Sequence, residues 1–241
     1  MRKITVLLFL TFMSTGVFAE KVAVMSKVRG EVLLQREDAL IYNQTPTVGT
    51  VLENNDKIKV DDGFAVMLLL DDLSQFKLRE YTEVRLTMVA DLSGVAYHVR
   101  LDYGQTLTDY TPGAASGFQI YTPTSVISVK GTKFWTISDP DQGDNVIVLE
   151  GEVDVTNNIT GLTSTAGAGQ TIRSTIDGSV QSSPTQEGSI PEDPDDSFGA
   201  VEPEQRTPPA GVEVESDRST TKRTVGIIAF FVVVLGFVLM L

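Results

Sequence analysis

Apolar positions in this chain alternate with polar ones far more often than they recur at helical spacing. Residues 21–36 alternate and close on the charged pair Glu37-Asp38. A short run at 57–60 leads into Asp61-Asp62-Gly63. Residues 64–70 are then continuously apolar up to Asp71-Asp72, the pattern of a strand buried on both faces. Phe76 and Leu78, then Val84, Leu86 and Met88, alternate with Lys77, Arg79, Glu83, Arg85 and Thr87, which predicts half-buried strands with a two-residue period. Alternation returns at 95–103, and segments 118–121, 125–130, 132–138 and 145–156 complete the set. No window between the two termini carries a helical period. The pattern predicts an all-β domain.

Glycines punctuate these runs in a recurring setting. Gly30, Gly63, Gly104, Gly131 and Gly151 each stand at the entrance to a strand-like segment. A glycine there supplies a backbone conformation that a Cβ would forbid, or lets the next strand come close. The repetition predicts short stacked strands with tight corners, arranged as a β-solenoid or a compressed sandwich.

The ends of the chain read differently. Arg2 and Lys3 precede an apolar run from Ile4 to Phe12, and Val17-Phe18-Ala19 fits the small-residue rule of a signal peptidase, so 1–19 is expected to be a signal peptide. Residues 225–241 carry no charge and come near the lower limit of about 17–25 residues for a spanning helix, which predicts a C-terminal transmembrane anchor or a processed sorting signal. Lys222 and Arg223 precede that run and would favour a cytoplasmic flank. The signal peptide outranks them, because exported chains carry long domains across largely regardless of charge. Between these parts, 21–176 is expected to fold as one all-β domain. Residues 177–223 are expected to be an acidic, Pro-rich disordered linker: Pro184, Pro191, Pro194, Pro203, Pro208 and Pro209 lie there, with Phe198 its only aromatic residue.

Charge and composition narrow the function. The formal net charge is −13, so nucleic acid is not an expected partner. Cysteine is absent, which excludes disulfides, zinc–thiolate sites and iron–sulfur clusters.

The stretch Tyr121-Thr122-Pro123-Thr124-Ser125-Val126-Ile127-Ser128-Val129-Lys130-Gly131-Thr132-Lys133-Phe134-Trp135 resembles the signature of the FecR-domain family, with Lys130 where arginine is usual. Val146-Ile147-Val148-Leu149-Glu150-Gly151-Glu152-Val153-Asp154-Val155 resembles the family's second motif, and Ala166-Gly167-Ala168-Gly169-Gln170 its closing glycine turn. Val28–Val32 and the segment 64–78 fit the early motifs, although Asp72-Leu73-Ser74 replaces the usual Asp-Gly-Ser. The resemblance covers about 22–173. It implies an extracytoplasmic sensing domain of the kind found in ferric-citrate transport regulators, which relay from an outer-membrane receptor to a cytoplasmic anti-sigma segment. Here a signal peptide stands where that segment would be, so the sigma-factor role is not expected to carry over.

Candidate sites are few. His98 is the single histidine and lies in an alternating strand, with no second histidine or cysteine to share a metal. Asp139-Pro140-Asp141-Gln142-Gly143-Asp144-Asn145 is similar to a calcium loop but departs from its ligand spacing at Gln142 and Glu150, and reads as an acidic hairpin turn. Asp61-Asp62 and Asp71-Asp72 flank an apolar strand, where Asp commonly makes turns. Trp135 is expected on the face opposite Phe134 and Ile137, packed against a neighbouring strand. No catalytic, cofactor-binding or metal residue is therefore expected. The reading is a non-enzymatic, membrane-anchored binding or scaffolding module of the bacterial cell envelope, in the periplasm or at the cell surface. Its expected partner is an envelope protein or polymer, or a further copy recruited through a strand edge. The opposing reading is an envelope hydrolase or carbohydrate-processing enzyme using dispersed acidic residues.

Overall fold

The computed structural model describes residues 20–70, 74–91, 94–113 and 115–197. The expected signal peptide and the apolar run at 225–241 lie outside the described residues, as does most of the expected linker. No helix among the described residues is long and apolar enough to cross a membrane.

The elements in chain order are β1 (Lys21–Gln35), β2 (Val51–Glu53), β3 (Lys57–Leu69), β4 (Gln75–Leu78), β5 (Thr82–Asp91), β6 (Gly94–Tyr110), β7 (Ala115–Tyr121), β8 (Ser125–Val129), β9 (Thr132–Asp139), β10 (Gly143–Glu150), β11 (Glu152–Asn157), β12 (Thr163–Gly167), β13 (Gln170–Ser174), β14 (Val180–Pro184) and the single turn α1 (Pro194–Ser197). All strand pairs are antiparallel except β6 with β7.

The strands form one hydrogen-bonded network folded over on itself into two layers. The first layer holds 32–35 of β1, 57–60 of β3, β5, the first part of β6, β7, β8, β11 and β12. The second holds β2, the start of β1, 64–69 of β3, β4, the end of β6, β9, β10, β13 and β14. Thus β1, β3 and β6 each run through both layers. Side chains of the two layers meet in one core: Phe118 of the first stacks on Tyr110 of the second at 5.1 Å, with Phe76 at 6.2 Å. Of the two architectures expected, the sandwich is the one observed. The antiparallel pairing of β1 with β3, of β3 with β4 and β5, and of β6 with β4, β5 and β9 is incompatible with parallel solenoid coils.

The strands are not all short, which corrects the expectation. β1, β3 and β6 have 15, 13 and 17 residues. Asp61-Asp62-Gly63 had read as a turn between two strands; it is a bend inside β3. Gly30 and Gly63 explain why. They are register partners, with φ of 76° and 122°. A Cβ on Gly30 would lie 2.0 Å from the Asp62 carbonyl oxygen, and one on Gly63 would lie 2.1 Å from that of Arg29. Paired glycines let two adjacent strands turn the same corner in contact and keep their ladder on either side. Gly104 bends β6 along the same line, whereas Gly131 and Gly151 join separate strands where the chain changes layer.

The ordered fold also extends past 176, where the linker was expected to begin. β14 pairs with β13 along 180–184, and the chain beyond it remains tied to the second layer as far as α1. Composition does not predict this order, because the acidic residues Asp193 and Asp195 have partners in distant strands.

Candidate functional site

Successive register pairs on the outer face of the second layer align Lys27, Val66, Lys77, Leu107, Trp135, Ile147, Thr171 and Ser183 into one row across eight strands. Strand alternation explains this. Phe76, Leu78, Phe134, Val146, Val148 and Ile172 point into the main core, so their neighbours point out. Yet Val66 and Ile147 are 2% exposed, Leu107 2%, Trp135 1% and Lys77 8%. Leu107, Trp135 and Ile147 form a second apolar cluster, separate from the core, with Ile137 and Leu149 against it.

What covers this row is the segment after β14. At one end Thr185 donates its N–H to the Gly169 carbonyl at 2.9 Å and shares a hydroxyl contact with Thr171. At the other, the Lys77 ammonium meets both Asp193 oxygens at 2.9 and 2.7 Å and Asp195 at 3.0 Å, while Lys27 meets Asp195 at 3.0 Å. Thr171 and Lys77 are four inter-strand spacings apart, about 19 Å. The eight steps of chain from Thr185 to Asp193 reach at most about 29 Å. The strap therefore passes over Ile147, Trp135 and Leu107. Pro194 is buried at its far end.

Burial and charge act against each other in this clasp. Burial pushes the Lys77 pKa down, but Asp193 and Asp195 more than offset it, and the net shift is upward. Burial likewise pushes the Asp195 carboxyl up, and the two lysines bring it below the usual carboxylate range.

A second polar group lies at the end of the sandwich. Thr122 donates its hydroxyl to Asp144 at 2.6 Å and accepts the N–H of Ser125 at 2.8 Å. The Ser125 and Ser138 hydroxyls face the same carboxyl. Asp144 is 1% exposed, and burial raises its pKa despite these hydroxyls. It ties the Thr-Pro-Thr-Ser turn between β7 and β8 to the β9–β10 hairpin. Asp56 does similar work between β2 and β3, accepting from Arg36 at 2.6 Å and from the Glu53 N–H at 2.8 Å.

The sequence candidates fall in separate places. Trp135 lies opposite Phe134, as expected, but its cover is the strap as well as its neighbouring strands. Ile137 shares the outer face with it, which corrects the expectation that Ile137 enters the core with Phe134. His98 packs edge-on against Tyr121 at 5.1 Å on the first layer. Asp61 pairs with Lys59 at 2.6 Å beside the Gly63 bend, and Asp71-Asp72 lies outside the described residues. In the 139–145 loop, the Asp139 carboxylate accepts the N–H groups of Asp141 and Gln142, making the hairpin turn that was expected. Among the described residues no group of three or more His, Cys, Asp or Glu side chains is placed to hold a metal ion. The Lys77–Asp193 pairing was missed, because its partners are 116 positions apart and nothing local links them.

The fold and its covered outer face define an all-β sandwich domain closed by a C-terminal strap. Residues 56–154, from the start of β3 into β11, match the family model described as FecR protein. No curated protein matches the chain. Two crystal structures of a candidate anti-sigma factor from Parabacteroides distasonis ATCC 8503 are similar at 17% identity with a TM-score of 0.44. Each covers 53% of this chain, and the chain spans 59% of that protein's length.

Proposed function

We propose that this chain is a non-enzymatic binding or scaffolding module of the bacterial cell envelope, exported by residues 1–19 and held at a membrane by 225–241, resembling the sensing domain of FecR-type regulators. The observation that carries the reading is the FecR match itself, since residues 56–154 contribute strands to both layers of the sandwich. The export signal and the apolar C-terminal run support its location. Of the buried carboxylates, Asp144 is tied into a turn by Thr122, while Asp56 borders an open pocket of about 470 Å³ but is held there by Arg36 and the Glu53 N–H.

The test is to express the full chain with an affinity tag inserted after Glu20, sequence its mature amino terminus and identify what copurifies from envelope extract. An amino terminus at Glu20, membrane fractionation and a defined companion are expected. An uncleaved chain in the cytosol, or turnover of an envelope glycan by the pure protein, would overturn the reading. A shorter version should end at 197. Ending it at Ile172 would remove β14 and uncover Trp135.

A further inference from the structure

We propose that the row from Lys27 to Ile147 is a binding groove for an acidic polypeptide segment, occupied here by the chain's own residues 185–195 and open to an incoming segment of the same chemistry. This rests on the binding-module reading and names the surface and the partner class.

Three observations converge on it. The first is the apolar floor. A tryptophan, a leucine and an isoleucine on the outside of a sheet would ordinarily face water, and here they are as dry as the core. The second is charge complementarity. In a chain of net charge −13, Lys27 and Lys77 stand on one row of one face and are met by carboxylates two residues apart, Asp193 and Asp195. The turn α1 brings them together: Asp193 stands just before it and accepts the Asp195 N–H at 3.0 Å. The third is how the strap is held. It adds no strand to the sheet after Pro184. Its middle turns back on itself, with Ser189 donating to the Gln186 carbonyl. Between its first half and the sheet lies a cavity of about 230 Å³ lined by Asn145, Thr171, Arg173, Ser183, Gln186 and Ser189. Ile190 remains 46% exposed. The strap is thus clasped at its two ends and loosely fitted between them. Lys77 is buried, and the cost of desolvating a buried pair offsets much of its attraction, so a better-fitting acidic segment can compete.

Trp135 makes the proposal measurable, because it is the chain's only tryptophan. The experiment compares tryptophan emission and acrylamide quenching of the full chain with those of Asp193→Asn/Asp195→Asn. A synthetic peptide of residues 184–197 is then added to each, with circular dichroism and thermal unfolding reporting the sandwich. The double variant should keep its β spectrum, shift its emission to the red and quench several-fold more readily. The peptide should restore the blue emission of the variant saturably, an effect abolished by a peptide carrying Asn at both positions. The unmodified chain should respond to peptide only at much higher concentration. An opened variant that ignores the peptide, or a folded variant whose tryptophan stays shielded, would overturn the proposal. If the double variant does not fold, Lys77→Met, which keeps the stem and removes the charge, should expose Trp135 in the same way and lose the response to the acidic peptide; a folded Lys77→Met chain whose tryptophan stays shielded would overturn the proposal. Peptide binding tests the groove, and the envelope copurification tests the module, so either can fail alone.

Discussion

A row of side chains crosses each outer face of the sandwich. On the first layer it runs Thr87, His98, Gln119, Ser128, Asp154 and Thr165. These groups satisfy one another in the open. Gln119 donates to Ser128 at 3.1 Å and accepts the Tyr121 hydroxyl at 2.6 Å, while Thr165 donates to Asp154. On the second layer the corresponding row is apolar at its centre, basic at one end and covered by residues 185–197. Both rows obey the same two-residue alternation over the same core. The lesson is that strand periodicity assigns a side chain to a face without saying whether that face meets water. A polar outer face needs nothing more, whereas an apolar one needs a cover, and this chain supplies one from its own C-terminal side.

The largest effect should separate the two faces directly. Trp135→Ala removes a fully buried indole and the floor beneath the strap, and should cost about 3–5 kcal/mol in urea unfolding. Tyr121→Ala, on the open face beside His98, should cost about 1 kcal/mol or less. Equal losses would mean that the second face is no more covered than the first.

The sandwich was legible and its cover was not. The glycines at 30, 63, 104, 131 and 151 marked every one of those corners, because a residue without a Cβ is demanded wherever the chain turns against a close neighbour. Strand assignment succeeded wherever Phe76, Leu78, Val84, Leu86 and Met88 alternate with charged residues. The bends in β3 and β6 read as strand ends, since local sequence cannot distinguish a glycine that stops a ladder from one that bends it. The strap was misread for a different reason. Its prolines and acids are what a disordered segment contains, and only the distant lysines at 27 and 77 order it. Trp135 was assigned to the right face, but its burial depends on that same long-range pairing.

The clamp at the end of the sandwich tests whether the layers depend on buried polar groups as well as on the core. Asp144→Ala removes the carboxylate that accepts the buried Thr122 hydroxyl, and should cost about 1–3 kcal/mol in denaturant unfolding. Asp144→Asn retains an acceptor and should cost less. Because burial raises the Asp144 pKa, the native state holds this proton more tightly than the unfolded chain. Its contribution is fully present below the ordinary carboxylate range and declines as pH rises through the raised native value. The Asn variant should remove that part of the pH dependence.

The strap should respond to pH with the opposite sign at its carboxylate. The Asp195 carboxyl is held low, so its contribution is present above the ordinary carboxylate range and disappears as pH falls through the depressed native value. The Lys77 pKa is raised, so its contribution is present below the ordinary lysine range and disappears as pH rises through the elevated native value. Trp135 emission should stay blue between those limits and shift red beyond each, before the far-ultraviolet β signal changes. Coincident transitions would show that the cover and the sheet open together.

The smallest effect belongs to the open face. Lys59 and Asp61 meet at 2.6 Å on the first layer, and the Asp61 hydrogen bond is the main reason the Lys59 pKa is raised. Both side chains are about a third exposed, and water and salt replace a lost partner there at little cost. Asp61→Asn should therefore leave the unfolding midpoint unchanged, both at low salt and at high salt. Lys77→Met on the covered face should lower the salt concentration at which Trp135 becomes quenchable. The two substitutions each remove one member of an ion pair that is just as short on either face. A measurable loss at Asp61, or none at Lys77, would show that contact distance outweighs cover in deciding what such a pair contributes.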